Sequence, residues 1–123
     1  MKSDVVADAL NQIMNAKRAG KKEIVVKRYS KLLRNILDIA KENGYLDYRI
    51  DGKELIIEIK KINEIKAIKP RYTVSTKSLD KYVRRFLPAR DFGFVIISTS
   101  KGLMKHSEAK EKNIGGCLIA YVF

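Results

Sequence analysis

The sequence predicts an α+β protein of two small packed lobes, an N-terminal α-β-α-β-β lobe over residues 1–61 and a C-terminal lobe, mostly β with short helices, over residues 62–123. Three observations predict it. Apolar residues recur at helical spacing in two early segments. An alternating pattern then doubles back through an Asp-Gly pair. Short β-rich runs punctuated by Gly and Pro dominate the second half.

The first helix is predicted from Ser3 or Asp4 to Ala19. Val5, Val6, Ala9, Leu10, Ile13 and Met14 form its apolar face, Ser3 or Asp4 supplies the N-cap, and Gly20 ends it. Lys17 and Arg18 suit the negative helix end. Residues 23–27 read as a strand built on Ile24, Val25 and Val26. Ser30 caps a second helix that buries Leu32, Leu33, Ile36, Leu37 and Ala40, and Gly44 closes it. Leu46, Tyr48 and Ile50 alternate, Asp51-Gly52 predicts a type I′ turn, and Leu55, Ile57 and Ile59 alternate on the return strand.

In the second lobe, residues 65–68 and 72–74 read as strands on either side of Lys69-Pro70. Ser78 is expected to cap a brief helix over Leu79, Tyr82, Val83 and Phe86, which Pro88 prevents from continuing. Residues 92–97 are β-rich and do not alternate, which predicts a central strand buried on both faces. A helix of about two turns is expected over residues 107–112. Residues 118–123 form the last strand, again covered on both faces. No long linker separates the lobes, so they are expected to pack together.

The chain of 123 residues carries 26 Lys and Arg against 14 Asp and Glu, a formal net charge of +12. That excess in so short a chain implies a polyanionic partner, nucleic acid before an anionic membrane surface. Cys117 is the only cysteine, so no disulfide can form within one chain. It reads as a small buried hydrophobe in a reducing compartment. The N-terminus shows no apolar signal core and the apolar runs are too short to span a membrane, so a cytoplasmic location without membrane partners is expected.

Ser98, Thr99, Ser100, Lys101 and Gly102 leave the buried strand together. Hydroxyls donate and accept, an ammonium meets phosphate as a point charge, and glycine lets the backbone come close. The same residue types also build ordinary loops. Elsewhere, Lys17, Arg18, Lys21, Lys22, Lys27, Arg28, Lys31 and Arg34 cluster along the first lobe. Loops at Gly20 and Arg28 lie at opposite ends of one strand, so these cations are expected to form a band rather than a single patch. A band of this kind neutralises several phosphates and makes affinity fall steeply with salt. Free N–H groups at the Ser30 helix start can also hold phosphate. Tyr29 and Tyr72 are possible stacking platforms for unpaired bases, or simply core or rim residues.

Residues 94–104, Glu108-Ala109 and Gly115-Gly116 with the final apolar strand resemble the C-terminal signature of the small-ribosomal-subunit protein eight family. Asp4, Ala7-Asp8, Leu10, Ile13 and Asn15-Ala16 resemble that family's opening helix, and Ser30-Lys31 with the helix ending at Asn43-Gly44-Tyr45 also matches. Lys69-Pro70-Arg71-Tyr72 and residues 87–93 are similar to the archaeal and eukaryotic branch. The resemblance implies a cytoplasmic protein of the small ribosomal subunit that binds the central domain of 16S rRNA, supports its folding and subunit assembly, and needs no catalysis or cofactor. It implies rRNA contacts at Asn15, Ser30 and Lys31 and at residues 98–102. Thr99 and Ser100 would then recognise base or ribose and Lys101 phosphate, because an A-form major groove admits no side chains and specificity needs irregular sites or 2′-hydroxyls. Other small-subunit proteins are implied partners, and the chain's own mRNA is a further one. Two departures stand out. Many bacterial members carry Glu directly after the Gly-Gly pair, where this chain has Cys117, and Lys105 stands where a capping Asp or Thr often begins the short helix.

Two alternatives compete with this reading. A free-standing translational regulator would use the same RNA surface. A Mg-dependent nuclease would use Asp47 or Asp51 with Glu58 and Lys60, which imitate an acid…acid-x-Lys pattern. Asp51 is already explained by the Asp-Gly turn, and alternating charges suit an exposed sheet face. His106, the only histidine, lies in a Lys/Ser/Glu-rich segment and reads as an exposed surface residue. No Walker-type loop and no Cys/His metal cluster appears.

Overall fold

The computed structural model describes residues 4–69, 71–89 and 92–123. Ser3, Pro70, Arg90 and Asp91, which enter the reading above, lie outside them. The elements are α1 (Val5–Arg18), β1 (Glu23–Val26), α2 (Lys31–Glu42), β2 (Leu46–Asp51), β3 (Glu54–Ile59), β4 (Ile65–Ala67), β5 (Thr73–Val74), α3 (Thr76–Phe86), β6 (Phe94–Thr99), β7 (Gly102–Lys105), α4 (His106–Glu111) and β8 (Gly116–Val122). Helices and antiparallel sheets alternate, which is an α+β fold. The chain divides into a compact unit up to Lys66 and a second from Ala67.

In the first unit a three-stranded sheet runs in the order β1-β3-β2. Asp4 caps α1, its Oδ1 accepting from the N–H groups of Val6 at 3.0 Å and Ala7 at 3.1 Å. Ser30 caps α2 by accepting from the Leu33 N–H at 3.2 Å. Gly20 and Gly44, with φ of 77° and 79°, end the two helices in the left-handed region that favours glycine. Val6, Leu10, Ile13 and Met14 of α1 and Leu33, Ile36, Leu37 and Ala40 of α2 are buried with Val26, Leu55 and Ile57 of the sheet. The register Val26↔Leu55 and Ile24↔Ile57 sets these residues on one face. Glu23, Glu58, Asp47 and Arg49 belong to the other.

The β2–β3 turn differs from expectation. Asp51 pairs with Glu54 as the closing strand pair, so the central residues are Gly52 and Lys53. Gly52 has φ 62°, while Lys53 is not among the residues with positive φ. A type I′ turn needs positive φ at both central positions and a II′ turn only at the first, so this hairpin is of the II′ kind.

In the second unit the sheet runs β8-β6-β7, and β5 also pairs with β8. Phe94, Val95, Ile96 and Ile97 are all buried, in keeping with a non-alternating central strand. Val95, Ile97, Met104, Leu118 and Tyr121 form one core with Leu79 of α3 and Ala109 of α4. Strand β6 starts at Phe94 rather than Phe92, because Gly93 turns the chain with φ 88°. The N-cap of α3 is Ser75, whose N–H donates to Ser78 Oγ at 3.2 Å. Ser78 is thus the reciprocal partner three residues in, not the cap. Helix α4 starts at His106 after Lys105 without a side-chain cap. His106 is half-buried rather than exposed, and its Nδ1 accepts from the Val95 N–H at 3.0 Å.

Candidate nucleic-acid interface

Residues 98–102 are the tip of a β-hairpin. Ser98 and Thr99 finish β6, Ser100 and Lys101 make the turn, and Gly102 opens β7. Thr99 pairs with Gly102, and its hydroxyl serves the turn twice. Oγ1 donates to the Gly102 carbonyl at 2.9 Å and accepts from the Lys101 N–H at 3.0 Å. Gly102 has φ 106°, with open space where a Cβ would stand, so glycine is required there by backbone conformation and not by crowding. Ser100 and Lys101 are exposed at the tip. The arrangement offers a hydroxyl and an ammonium on a stiff turn anchored in a buried strand.

The Gly115-Gly116 pair explains how neighbouring chain comes close. Helix α4 ends with Asn113 at φ 55°, the Ile114 N–H returning to the Ala109 carbonyl at 2.9 Å and the Asn113 N–H to Lys110 at 3.1 Å. This swings Gly115 against β5. A Cβ there would meet the Val74 carbonyl at 2.5 Å and Ser75 Cα at 3.1 Å. A Cβ on Gly116 would run into the Ser98 carbonyl oxygen. Close approach therefore sets Ser75, at the start of α3, and Ser98 on either side of the glycine pair. Cys117 pairs with Ser98 on one side and Thr73 on the other. It is half-buried, not fully buried, and stands beside Ser98 in the sheet. That Ser75 lies beside the glycine pair was not legible from the sequence. The Gly-Gly pair was the available signal, since two glycines in series mark close backbone approach.

The remaining expected site residues lie in the first unit and fall at two places. Arg28, Ser30 and Lys31 are together at the end of β1 and the start of α2. A groove of about 510 Å³ there is lined by Val5, Lys27, Arg28, Tyr29, Gly52 and Lys53. A second, of about 310 Å³, is lined by Tyr29, Ser30, Lys31, Arg34, Asn35 and Asp38. Asp38 is the acid in this second groove, and its carboxylate accepts a hydrogen bond from the Tyr48 hydroxyl. Burial, first, and this bond to Asp38 push the Tyr48 hydroxyl above its ordinary value, against a smaller opposing effect of Arg34. Asn15 and Lys17 are exposed on α1, ten and twelve positions beyond Val5, or roughly 15–18 Å along the helix. The cations therefore stand at two places on the first unit and not in one patch. Lys53 in the turn is a cation that the sequence reading missed.

Of the nuclease alternative, Asp51 and Lys60 are not brought to Glu58, and Asp47 is already engaged. Asp51 pairs with Glu54, four positions and roughly 13 Å along the strand from Glu58. Lys60 lies beyond the end of β3. Asp47 stands opposite Glu58 but is bonded to Lys41 at 3.2 Å. The Lys41 ammonium, followed by the Tyr48 N–H, holds the Asp47 carboxyl below its usual value. Glu23, on the other side of Glu58, pairs with Arg49 at 3.6 Å. These acids are part of a cross-strand charge pattern. Among the described residues, no group of three or more His, Cys, Asp or Glu is placed to hold a metal ion, and no helix is long and apolar enough to cross a membrane.

A family model described as ribosomal protein S8 matches residues 4–123. The match takes in the capped first helix, the hairpin tip and the Gly-Gly pair. With nearly the whole sequence covered by one family model, the chain belongs to the ribosomal protein S8 family.

Proposed function

We propose that this chain binds the central domain of 16S rRNA directly in the small ribosomal subunit, and that it supports folding of that domain and subunit assembly. Its family makes it a ribosomal protein that binds rRNA, structural rather than enzymatic, and places it at the ribosome. The observation that carries the finer reading is the hairpin tip. Thr99 holds the turn closed from within, so Ser100 and Lys101 meet RNA already ordered. Preorganisation spares the ordering cost that a mobile loop would pay at binding.

Discrimination is assigned to residues 98–102 and affinity to the band that includes Lys17, Arg28 and Lys31, with Asn15 and Ser30 as polar contacts. Other small-subunit proteins are its neighbours, and an element of its own mRNA that imitates the rRNA site would use the same surface. The segments around Lys69 and Leu87 resemble the archaeal and eukaryotic branch of the family, and the archaeal type is proposed for this chain. The test is binding at fixed salt to a central-domain 16S rRNA fragment against an unrelated duplex of equal length. Strong preference for the fragment is expected. Equal affinity for both would overturn the reading.

A further inference from the structure

Helix α3 carries a cationic stripe that neither the hairpin tip nor the band in the first unit includes. Lys77, Lys81 and Arg84 recur at i, i+4 and i+7, with Arg85 beside them, and all four are exposed. Leu79, Tyr82, Val83 and Phe86 of the same helix pack on the core of the second unit. The only acid of α3, Asp80, is paired with Lys110 of α4 at 2.9 Å. Lys77, Lys81 and Arg84 have no ion pair among the described residues. Arg85 lies over the Tyr82 ring at 4.9 Å, and Tyr82 packs against Tyr72 at 5.3 Å between ring centroids.

Helix stability accounts for the C-terminal end of this stripe but not for Lys77 and Lys81. Arg84 and Arg85 suit the negative C-terminal end of α3. Lys77 lies in the first turn, where the helix dipole disfavours a cation. The Lys77/Lys81 and Lys81/Arg85 pairs are like charges at i, i+4, which destabilise a helix. Such an arrangement is compensated when a polyanion lies along it. From Lys77 to Arg84 the helix rises about 10 Å, a length that covers about three phosphates of one strand in a duplex.

Resting on the reading of the chain as an RNA binder, we propose that the Lys77, Lys81, Arg84 stripe of α3 is a second RNA-binding surface. It holds the sugar–phosphate backbone of a duplex and does not read sequence. The partner is RNA and not an acidic protein, because a regular stripe matches a regular row of phosphates.

The test uses the full chain with Lys77→Gln, Lys81→Gln and Arg84→Gln combined, and a charge-retaining control with Lys77→Arg and Lys81→Arg. Affinity is measured through a salt series for the central-domain fragment, for an unrelated RNA duplex of equal length, and for poly-glutamate. The log–log salt slope of the neutralised variant is expected to fall in magnitude by about two to three on both RNAs. The preference between the RNAs should not change, and the control should keep the wild-type slope. An unchanged slope on both RNAs would overturn the proposal, as would loss of poly-glutamate binding alone. If wild type shows no preference for the central-domain fragment, the proposed function fails, while the slope on the unrelated duplex still decides the role of the stripe.

Discussion

Replacing Thr99 with Val should separate a residue that shapes the hairpin tip from one that touches RNA. Valine keeps the β-branched shape and removes the hydroxyl. Two hydrogen bonds are lost, to the Gly102 carbonyl at 2.9 Å and from the Lys101 N–H at 3.0 Å. A typical intramolecular hydrogen bond contributes about 0.5–1.5 kcal/mol net. Both bonds are exposed, so water replaces part of each, and a total of about 1 kcal/mol is expected. For a chain of this size that lowers Tm by about 3–5 °C. The turn is then less often in its binding geometry, and affinity for the rRNA fragment falls by up to about fivefold. Ser100→Ala should behave differently. The Ser100 hydroxyl is exposed and bonds to no described residue, so its loss should leave Tm unchanged. If it bonds to RNA, affinity still falls several-fold. Thr99→Ser keeps a hydroxyl and should restore most of both properties. The assays are thermal denaturation followed by circular dichroism, and filter binding or calorimetry on the rRNA fragment. If Thr99→Val weakened RNA binding with no change in Tm, the hydroxyl would be reading RNA and the locking argument would be refuted. Unchanged affinity in Ser100→Ala would remove Ser100 from the interface.

Three further outcomes are expected. Gly116→Ala should destabilise the protein by about 1–3 kcal/mol in denaturant unfolding, because its Cβ would meet the backbone carbonyl of Ser98, which cannot swing aside as a side chain can. Tyr48→Phe should cost about 1 kcal/mol at neutral pH through loss of the bond to Asp38. Because burial and Asp38 raise the Tyr48 hydroxyl above its ordinary value of 10.0, that contribution is complete below 10.0 and disappears as pH rises through the raised value, so wild-type and variant stability curves should converge in alkali. Asp4→Ala should cost about 1 kcal/mol by removing the acceptor for two N–H groups at the start of α1, while Asp4→Asn should retain most of it, as chemical denaturation can measure.

Local chemistry made much of the first unit legible. The bounds of α1 and α2 follow from caps at Asp4 and Ser30 and from stops at Gly20 and Gly44, all signals that lie within a turn or two of the boundary. The β2–β3 pairing follows from alternation around Gly52. Its turn type did not follow, because Asp51-Gly52 fits two registers and only the pairing Asp51↔Glu54 selects one. The same limit applied at α3, where Ser75 and Ser78 both resemble caps and the chain's turn after β5 decides between them.

The polar character of residues 98–102 and the excess of cations were readable from the sequence, because composition and residue type do not depend on fold. That Ser98 and Thr99 belong to a strand was not, nor was β7, whose four residues carry no periodicity of their own. Strand β7 exists because β6 pairs with it, and pairing is a contact between backbones that no single segment encodes. Tertiary structure likewise decided that Cys117 stands between Ser98 and Thr73, and that Gly116 lies against the Ser98 carbonyl. Hydrophobic period is local and survives in the sequence. The hydroxyl of Thr99 is committed to Gly102 by a neighbour that only pairing supplies, and the row of charges on α3, set by local helical spacing, is exposed because the opposite face packs on the core.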